Sequence, residues 1–245
     1  MPNKAYYDLH IHSCLSPCGD NDMTPGNIAG MSMLKGLNIV ALTDHNSFLN
    51  CPAFFSFAAD MGLIPVAGAE ITTTEDIHVL SLFESLEGAM DFNSFIDAKK
   101  YKIKNDSAIF GNQYIVDSKD SVIGEEEHLL INAIDISVDD ICSQVKKFSG
   151  IAIPAHIDKI SNGIISVLGT VPDCGFSAFE VSDIDKKHEL ADKYSILKNR
   201  CFVTNSDAHY LWDINEKLNY IEIFSDFDDI SGVTQELFRF LRGEP

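Results

Sequence analysis

The chain has 245 residues, 45% of them hydrophobic, enough for one large domain with a sizeable core. No apolar run approaches the roughly 20 residues of a membrane span, and Met1 to Tyr7 lack the apolar stretch of a secretory signal, so a cytoplasmic location is expected. The formal net charge of −19 argues against a long nucleic-acid duplex lying across the surface, because such binding needs Lys and Arg to displace phosphate counterions.

Strand and helix alternate along the chain. Residues 5–10 form a short strand that ends in metal-ligand types. Thr24 and Pro25 supply an N-cap and a proline at the first helical position, opening a helix that Gly36 stops. Residues 37–42 are apolar apart from Asn38, the pattern of a buried parallel strand. Residues 51–61 read as a helix, 63–67 as the third strand and 78–83 as the fourth. Residues 84–135 break the rhythm. There 109–116 and 122–130 flank the polar stretch 117–121, predicting a hairpin-bearing insertion. Ser137 caps a further helix, with Asp139 and Asp140 in its first turn. Strands follow at 151–154, 178–181 and 202–204, and helices at 186–197 and 234–241.

Residues 1–245 thus read as a single domain with 84–135 inserted in it. The alternation argues for α/β with a parallel sheet. Periodicity does not give barrel closure. It is suggested by ligand types falling at the C-terminal ends of strands, where barrels place their sites. The cysteines, Cys14, Cys18, Cys51, Cys142, Cys174 and Cys201, form no C-x-x-C pair and fit reduced thiols in a cytosolic chain.

Six short motifs carry the chemistry. His10 and His12 are two apart on a strand, so both face one way and could chelate one ion. Asp44 and His45 follow a buried strand, His45 as the preferred ligand and Asp44 as an acceptor behind a ligand imidazole; an Asx turn is the plainer reading of Asp44. Glu70 after Gly68-Ala69 could bridge two ions. His78 and His156 each stand alone at a strand end, where a histidine is more often a satisfied core or surface residue. Asp207 and His209 pair a hard carboxylate with an imidazole, which suits Zn, Mn or Fe. Each motif is weak alone; their joint order along successive strands is not.

That order resembles the PHP family, named for polymerase and histidinol phosphatase domains, on DLHIHS at 8–13, TDH at 43–45, GAE at 68–70, IHVLSLF at 77–83, PAH at 154–156 and SDAH at 206–209. The resemblance implies a distorted (β/α)7 TIM-like barrel holding two to three divalent metals. One site would use His10, His12, Glu70 and Asp207, and a second Glu70, His78 and His156. A third would use His45, His209 and one ligand from the first loop. That loop departs from the family pattern, and Asp20 is the favoured ligand with Cys18 the second choice. Lys159, just past His156, could hold a substrate phosphate, or be simply solvated.

The implied activity is metal-dependent phosphoester hydrolysis by a metal-bound hydroxide. The expected substrate is small and phosphorylated, a nucleotide or short oligonucleotide. Asp44 could shuttle a proton and His209 would stand at the reacting centre. A histidinol-phosphate-type monoesterase is the alternative within the class. A non-catalytic interaction module is the alternative outside it, but such modules often lose ligands that this chain keeps. A barrel amidohydrolase would want a bridging lysine, and no Lys ends a core strand here.

Overall fold

The computed structural model describes residues 2–244. The chain runs β1 (Asn3–Asp8), α1 (Pro25–Leu34), β2 (Ile39–Leu42), α2 (Cys51–Asp60), β3 (Ile64–Thr72), β4 (His78–Phe83) and α3 (Leu86–Asp97). It continues through α4 (Ser107–Phe110), β5 (Tyr114–Val116), β6 (Val122–Glu125), α5 (Val138–Lys147), β7 (Gly150–Pro154) and α6 (Ile164–Leu168). It ends with β8 (Ala178–Glu180), α7 (Lys187–Lys193), β9 (Cys201–Val203), β10 (Tyr220–Ile223) and α8 (Ile230–Arg242).

Helices α1 and α5 each begin where a capping side chain satisfies a free backbone donor. Thr24 Oγ1 accepts from the Asn27 N–H at 3.3 Å, and Ser137 Oγ from the Asp140 N–H at 3.2 Å. α1 is followed by Gly36 at φ +76°, a conformation glycine adopts without the clash a Cβ would make. The expected helix over 186–197 is instead two short 3-10 turns around α7.

The main sheet is mixed, in the order β10-β1-β2-β3-β4-β7. β1, β2 and β3 are parallel neighbours, while β3 turns straight back into antiparallel β4, which pairs antiparallel with β7. β8 and β9 form a separate parallel pair. The Ile157 N–H donates to the Glu180 carbonyl at 2.9 Å, and Ile11 bridges Ala208 in parallel register, so the pair stands between β7 and the end of β1. The result is a mixed α/β fold with a curled sheet. The seven successive βα units implied by the resemblance are not what the described residues form, because the β3–β4 turn leaves no room for a helix.

Side chains alternate across this sheet. Ile39, Ala41, Ile64, Val66, Leu80, Leu82, Ile151 and Ile153 gather on its inner face with Val233, Leu237, Phe238 and Leu241 of α8. Val40, Leu42, Ala67, Ala69, Val79 and Phe83 face outward among buried residues of α1, α2, α3 and α5. α8 plugs the inner face, and its Arg242 pairs with Glu84, just past the end of β4. Leu237 is 0% exposed, and Leu237→Ala is expected to cost about 2–5 kcal/mol of unfolding free energy in a denaturant titration. A loss well below 1 kcal/mol would mean that α8 does not complete this core.

Candidate metal centre

The inner-face parity of β3 continues from Ile64 and Val66 through Gly68 to Glu70, and that of β4 runs back from Leu82 and Leu80 to His78. Both side chains therefore top the apolar layer at one rim. His78 opens its strand, as the reading of 78–83 as the fourth strand has it, and so does not lie at a C-terminal strand end like the other ligand types. Antiparallel pairing with Thr72 at the end of β3 brings it to the rim where β1, β2, β3 and β7 finish. On β2 the parity of Ile39 and Ala41 leads to His45. After β1 the alternation slips: Leu9 belongs to the inner cluster and Ile11 to the outer one, so His10 and His12 fall on the inner side. His156 and Asp207 hold φ of +30° and +55°, and Asn46 beside His45 holds +47°. Non-glycine residues in this region cost energy, and such strain concentrates where a side chain must be aimed.

Glu70 is the hub. Its Oε1 lies 2.9 Å from His78 Nδ1, 3.1 Å from His156 Nε2 and 3.4 Å from His10 Nε2. Its Oε2 lies 3.2 Å from His45 Nδ1 and 3.4 Å from His12 Nε2. Asp207 Oδ1 stands 3.3 Å from His10 Nε2 and 3.4 Å from His12 Nε2. Donor atoms of His10, His12, Glu70 and Asp207 lie within 4.8 Å of one another, as do those of His45, Glu70 and His78. His12, Cys18, His45 and His209 form a further such group.

Asp20 is not in any of these groups, which corrects the favoured expectation. Its carboxylate accepts from the Asp22 N–H at 2.8 Å in an Asx turn, and its own N–H donates to the His209 carbonyl. Cys18 occupies the position instead. Asp44 sits one layer behind, buried, accepting from the Ser13 N–H, Ser13 Oγ and Ser16 Oγ at 2.7 Å each. It reaches His12 only through Ser16, so it braces the loop and does not touch a ligand imidazole as expected. Lys159 Nζ is paired with Asp207 Oδ2 at 2.7 Å.

Sequence reasoning missed Glu180. Both its oxygens lie 3.1 Å from His10 Nδ1; it also accepts from the His156 N–H at 2.9 Å and from Asn205 Nδ2 at 2.8 Å. A lone Glu closing a three-residue strand carries little signal; its only clue was a carboxylate ending the apolar run Ala178-Phe179, as Glu70 follows its own.

These contacts fix the proton positions and test whether a cation fits. Glu180 takes the Nδ1–H of His10. Ser16 Oγ donates to Asp44 and therefore accepts from His12 Nδ1. The Nε2 lone pairs of His10 and His12 are left facing each other at 3.1 Å, with carboxylate oxygens beside them. Buried His45 Nδ1, 3.2 Å from Glu70 Oε2, makes no hydrogen bond. Converging lone pairs with no donor between them suit a divalent cation.

In the metal-free chain protons take that place. Burial works against the charged imidazole of His12, but hydrogen bonds to Asp207 and Glu70 outweigh it and raise its pKa to about 9. His10 is raised well above its ordinary value, burial again being outweighed by Glu180, Asp207 and Glu70. Burial pushes His45 well below and His209 to about 4, and His12 adds to both. Glu70 is held well below the usual carboxylate range, against burial, by His78 and His10. The stability contributed by the raised His12 is full below about pH 6.5, its unfolded value, and is lost as pH climbs through about 9. A cation must displace the same proton, so apparent metal affinity should climb across that window and then level off. Calorimetric titration with zinc at a series of pH values checks this; a flat profile would contradict it.

Residues 8–147 match the family model described as PHP domain. An uncharacterised protein of Methanocaldococcus jannaschii is 34% identical over 84 residues, 31% of this chain and 48% of that one. The chain spans less than half the length of the curated relatives it matches. Among solved structures, the lesion-specific endonuclease Q of Pyrococcus furiosus has a TM-score of 0.65 at 18% identity, over 98% of this chain and 56% of that one. A protein of Bifidobacterium adolescentis assigned as a metal-dependent phosphoesterase has 0.59 at 17%, over 98% of both chains.

A second endonuclease Q structure, TM-score 0.62 at 17% identity over 96% of this chain and 57% of that one, holds a 27-mer duplex substrate with an abasic lesion. That overturns the exclusion of a long duplex drawn from net charge. Overall charge averages the whole surface, whereas a duplex meets one face of it. With the family model matching more than half of the sequence, the chain belongs to the PHP domain family.

Proposed function

We propose that the chain is a metal-dependent phosphoric ester hydrolase acting on a nucleotide or oligonucleotide phosphate. The observation that carries this reading is Glu70, one buried carboxylate in contact with five imidazoles beside Asp207. His10, His12, Glu70 and Asp207 would hold one cation, and Glu70, His78, His45 and His156 a second. Divalent cations there would make water acidic enough to attack near neutral pH and would neutralise charge on phosphoryl oxygens.

The chain's own residues supply the frame. Glu180 and Ser16 turn the Nε2 atoms of His10 and His12 toward the centre. His209 is neutral near pH 7, which suits a ligand and not a proton donor. Lys159 would bring a positive charge to a substrate phosphate once its hold on Asp207 is shared. Segment 84–135, read as an insertion, borders the rim: Asn46 Nδ2 donates to the carbonyls of Leu130 and Asn132.

A base-bearing substrate is favoured by Tyr210 and Trp212, which follow His209 and are 56% and 80% exposed. Base stacking on an aromatic ring is worth about 1–3 kcal/mol, so Trp212→Ala should weaken nucleotide binding roughly 5- to 150-fold while sparing inorganic phosphate. Trp212 is the only tryptophan, and quenching of its fluorescence by nucleotide reads this directly. Unchanged emission at saturating nucleotide would remove the stacking role.

The hydrolase reading is tested by phosphate release from metal-loaded protein. The panel is histidinol phosphate, nucleotide mono- and bisphosphates, short oligonucleotides and an abasic-site duplex, the duplex and oligonucleotides also read by strand cleavage. His156→Ala serves as the blank. Turnover that the variant loses supports the reading, and the preferred substrate ranks the branches. No turnover on any substrate, with metals bound, would overturn it in favour of a binding role.

A further inference from the structure

The outer face of the β1–β10 ladder is open to solvent, unlike the buried strands β2, β3 and β4. Antiparallel pairing sets Tyr6 beside Tyr220 and Lys4 beside Glu222. Lys4, Tyr220 and Glu222 are exposed, and the Tyr6 and Tyr220 ring centroids lie 5.8 Å apart. Lys4 Nζ stands 4.0 Å from the centre of the Tyr220 ring and Lys217 Nζ 5.4 Å from that of Tyr6.

This surface connects, contact by contact, to the metal centre. Tyr210 and Trp212 follow His209. Lys35, just past α1, donates to the carbonyls of Trp212 and Ile214 and so ties that loop to the helix. Next to it the stem of exposed Lys217 lies across Gly36, where a Cβ would stand 2.2 Å from its Cε. Lys217 in turn reaches Tyr6, and Tyr6 reaches Tyr220. β1 climbs toward His10 at the rim and β10 runs the other way, so the order Trp212, Lys217, Tyr6 with Tyr220, then Lys4 leads away from the centre.

Alternating rings and lysines are what a single strand requires, since bases stack on the rings and ammonium groups meet the phosphates. A lysine resting on an exposed ring is weakly held, so Lys4 and Lys217 can turn to a phosphate and leave the rings to the bases. The carboxylates of this flank, Asp213, Glu216 and Glu222, are matched one for one by Lys35, Lys217 and Lys4, on a chain whose net charge is −19. A polyanion therefore meets less repulsion here than over most of the surface.

We propose that the outer face of β1 and β10 is a docking track for a single-stranded stretch of polynucleotide, which runs from Trp212 to Lys4 while one of its phosphates lies at the metal centre. This rests on the reading of the centre as acting on a nucleotide or oligonucleotide phosphate, and extends it to nucleotides beyond the reacting one.

Thymidylates from the mononucleotide to an octamer, linked by phosphorothioates to slow hydrolysis, are titrated against metal-loaded full-length protein by fluorescence anisotropy. Affinity should keep rising past the dinucleotide, roughly 5- to 150-fold for each further base that stacks. Tyr220→Ala should lose roughly 5-fold or more on the octamer and nothing on the mononucleotide. Lys4→Gln and Lys217→Gln should flatten the fall of octamer affinity with salt, whereas Lys102→Gln, exposed on the insertion, should change nothing. An octamer of abasic residues, which keeps the phosphates without the bases, should bind more weakly than the intact one. Affinity that stops rising at the dinucleotide, an abasic octamer as tight as the intact one, or wild-type salt dependence in both lysine variants would overturn the track. So would self-association of the chain that Tyr220→Ala abolishes, which would give this face to a second copy. Phosphate release that fails on every substrate while the length dependence persists would sink the hydrolase reading and leave the track standing; turnover with length-independent binding would do the reverse.

Discussion

Glu70→Gln is expected to strip the centre of metal and to lower turnover by at least about 10³-fold, since the cations' charge stabilisation is worth several kcal/mol and each 1.36 kcal/mol is tenfold. The substitution keeps size and shape, so the inner face beneath it should stay packed. It removes the one charge that touches His10, His12, His45, His78 and His156 together. An amide keeps one oxygen, but its NH2 group has no lone pair to offer a cation and would donate to the imidazole lone pairs that the cations need. In the metal-free chain the same carboxylate balances the protonated imidazoles of His10 and His12, so their pKa values should fall. Metal analysis, circular dichroism and turnover, taken together, separate a lost centre from a lost fold. A folded variant that keeps its metals and its rate would mean that Glu70 is not the hub.

What the sequence made legible follows from which interactions are local. Helix α1 was readable because Thr24, Pro25 and Gly36 act within one turn of its ends, and β2 because four residues, Ile39 to Leu42, are buried on both faces. The hairpin of β5 and β6 was readable because the turn 117–121 closes on itself, with the Asp117 N–H donating to Ser121. Helix α3 and strand β10 were missed because tertiary partners decide them: α3 packs Phe92 against Phe48 and Phe83, and β10 exists by pairing with β1.

The site divides the same way. Histidines and acids in motif order could be read, because a ligand type at a strand end is a local statement. The choice between Cys18 and Asp20 could not, because it depends on a loop folded around the distant Asp44. The reversal of β4 left His78 at the correct rim for a reason the sequence did not contain.

Glu180 gives the sharpest test of that hidden layer. Glu180→Ala is expected to reduce metal affinity or turnover about 10- to 100-fold, the usual effect of losing an outer partner of a ligating histidine. Its two oxygens hold the His10 Nδ1–H, and one of them also holds the His156 N–H in a backbone conformation with φ of +30°. One carboxylate thus aims two imidazoles that reach Glu70 from different strands. Without it His10 can change tautomer, which would turn a proton instead of a lone pair toward the centre. Raising the metal concentration distinguishes the consequences. Recovery of the rate at saturating metal assigns Glu180 to holding affinity alone. A rate that stays low with full metal occupancy means that ring orientation itself limits the reaction. Glu180→Gln should fall between wild type and alanine, since its amide oxygen can still accept from His10 but its NH2 cannot accept from His156 or Asn205. Equal metal affinity and equal rate in all three proteins would show that His10 and His156 are oriented by the rest of the rim, and Glu180 would then be only a buried anion beside the centre.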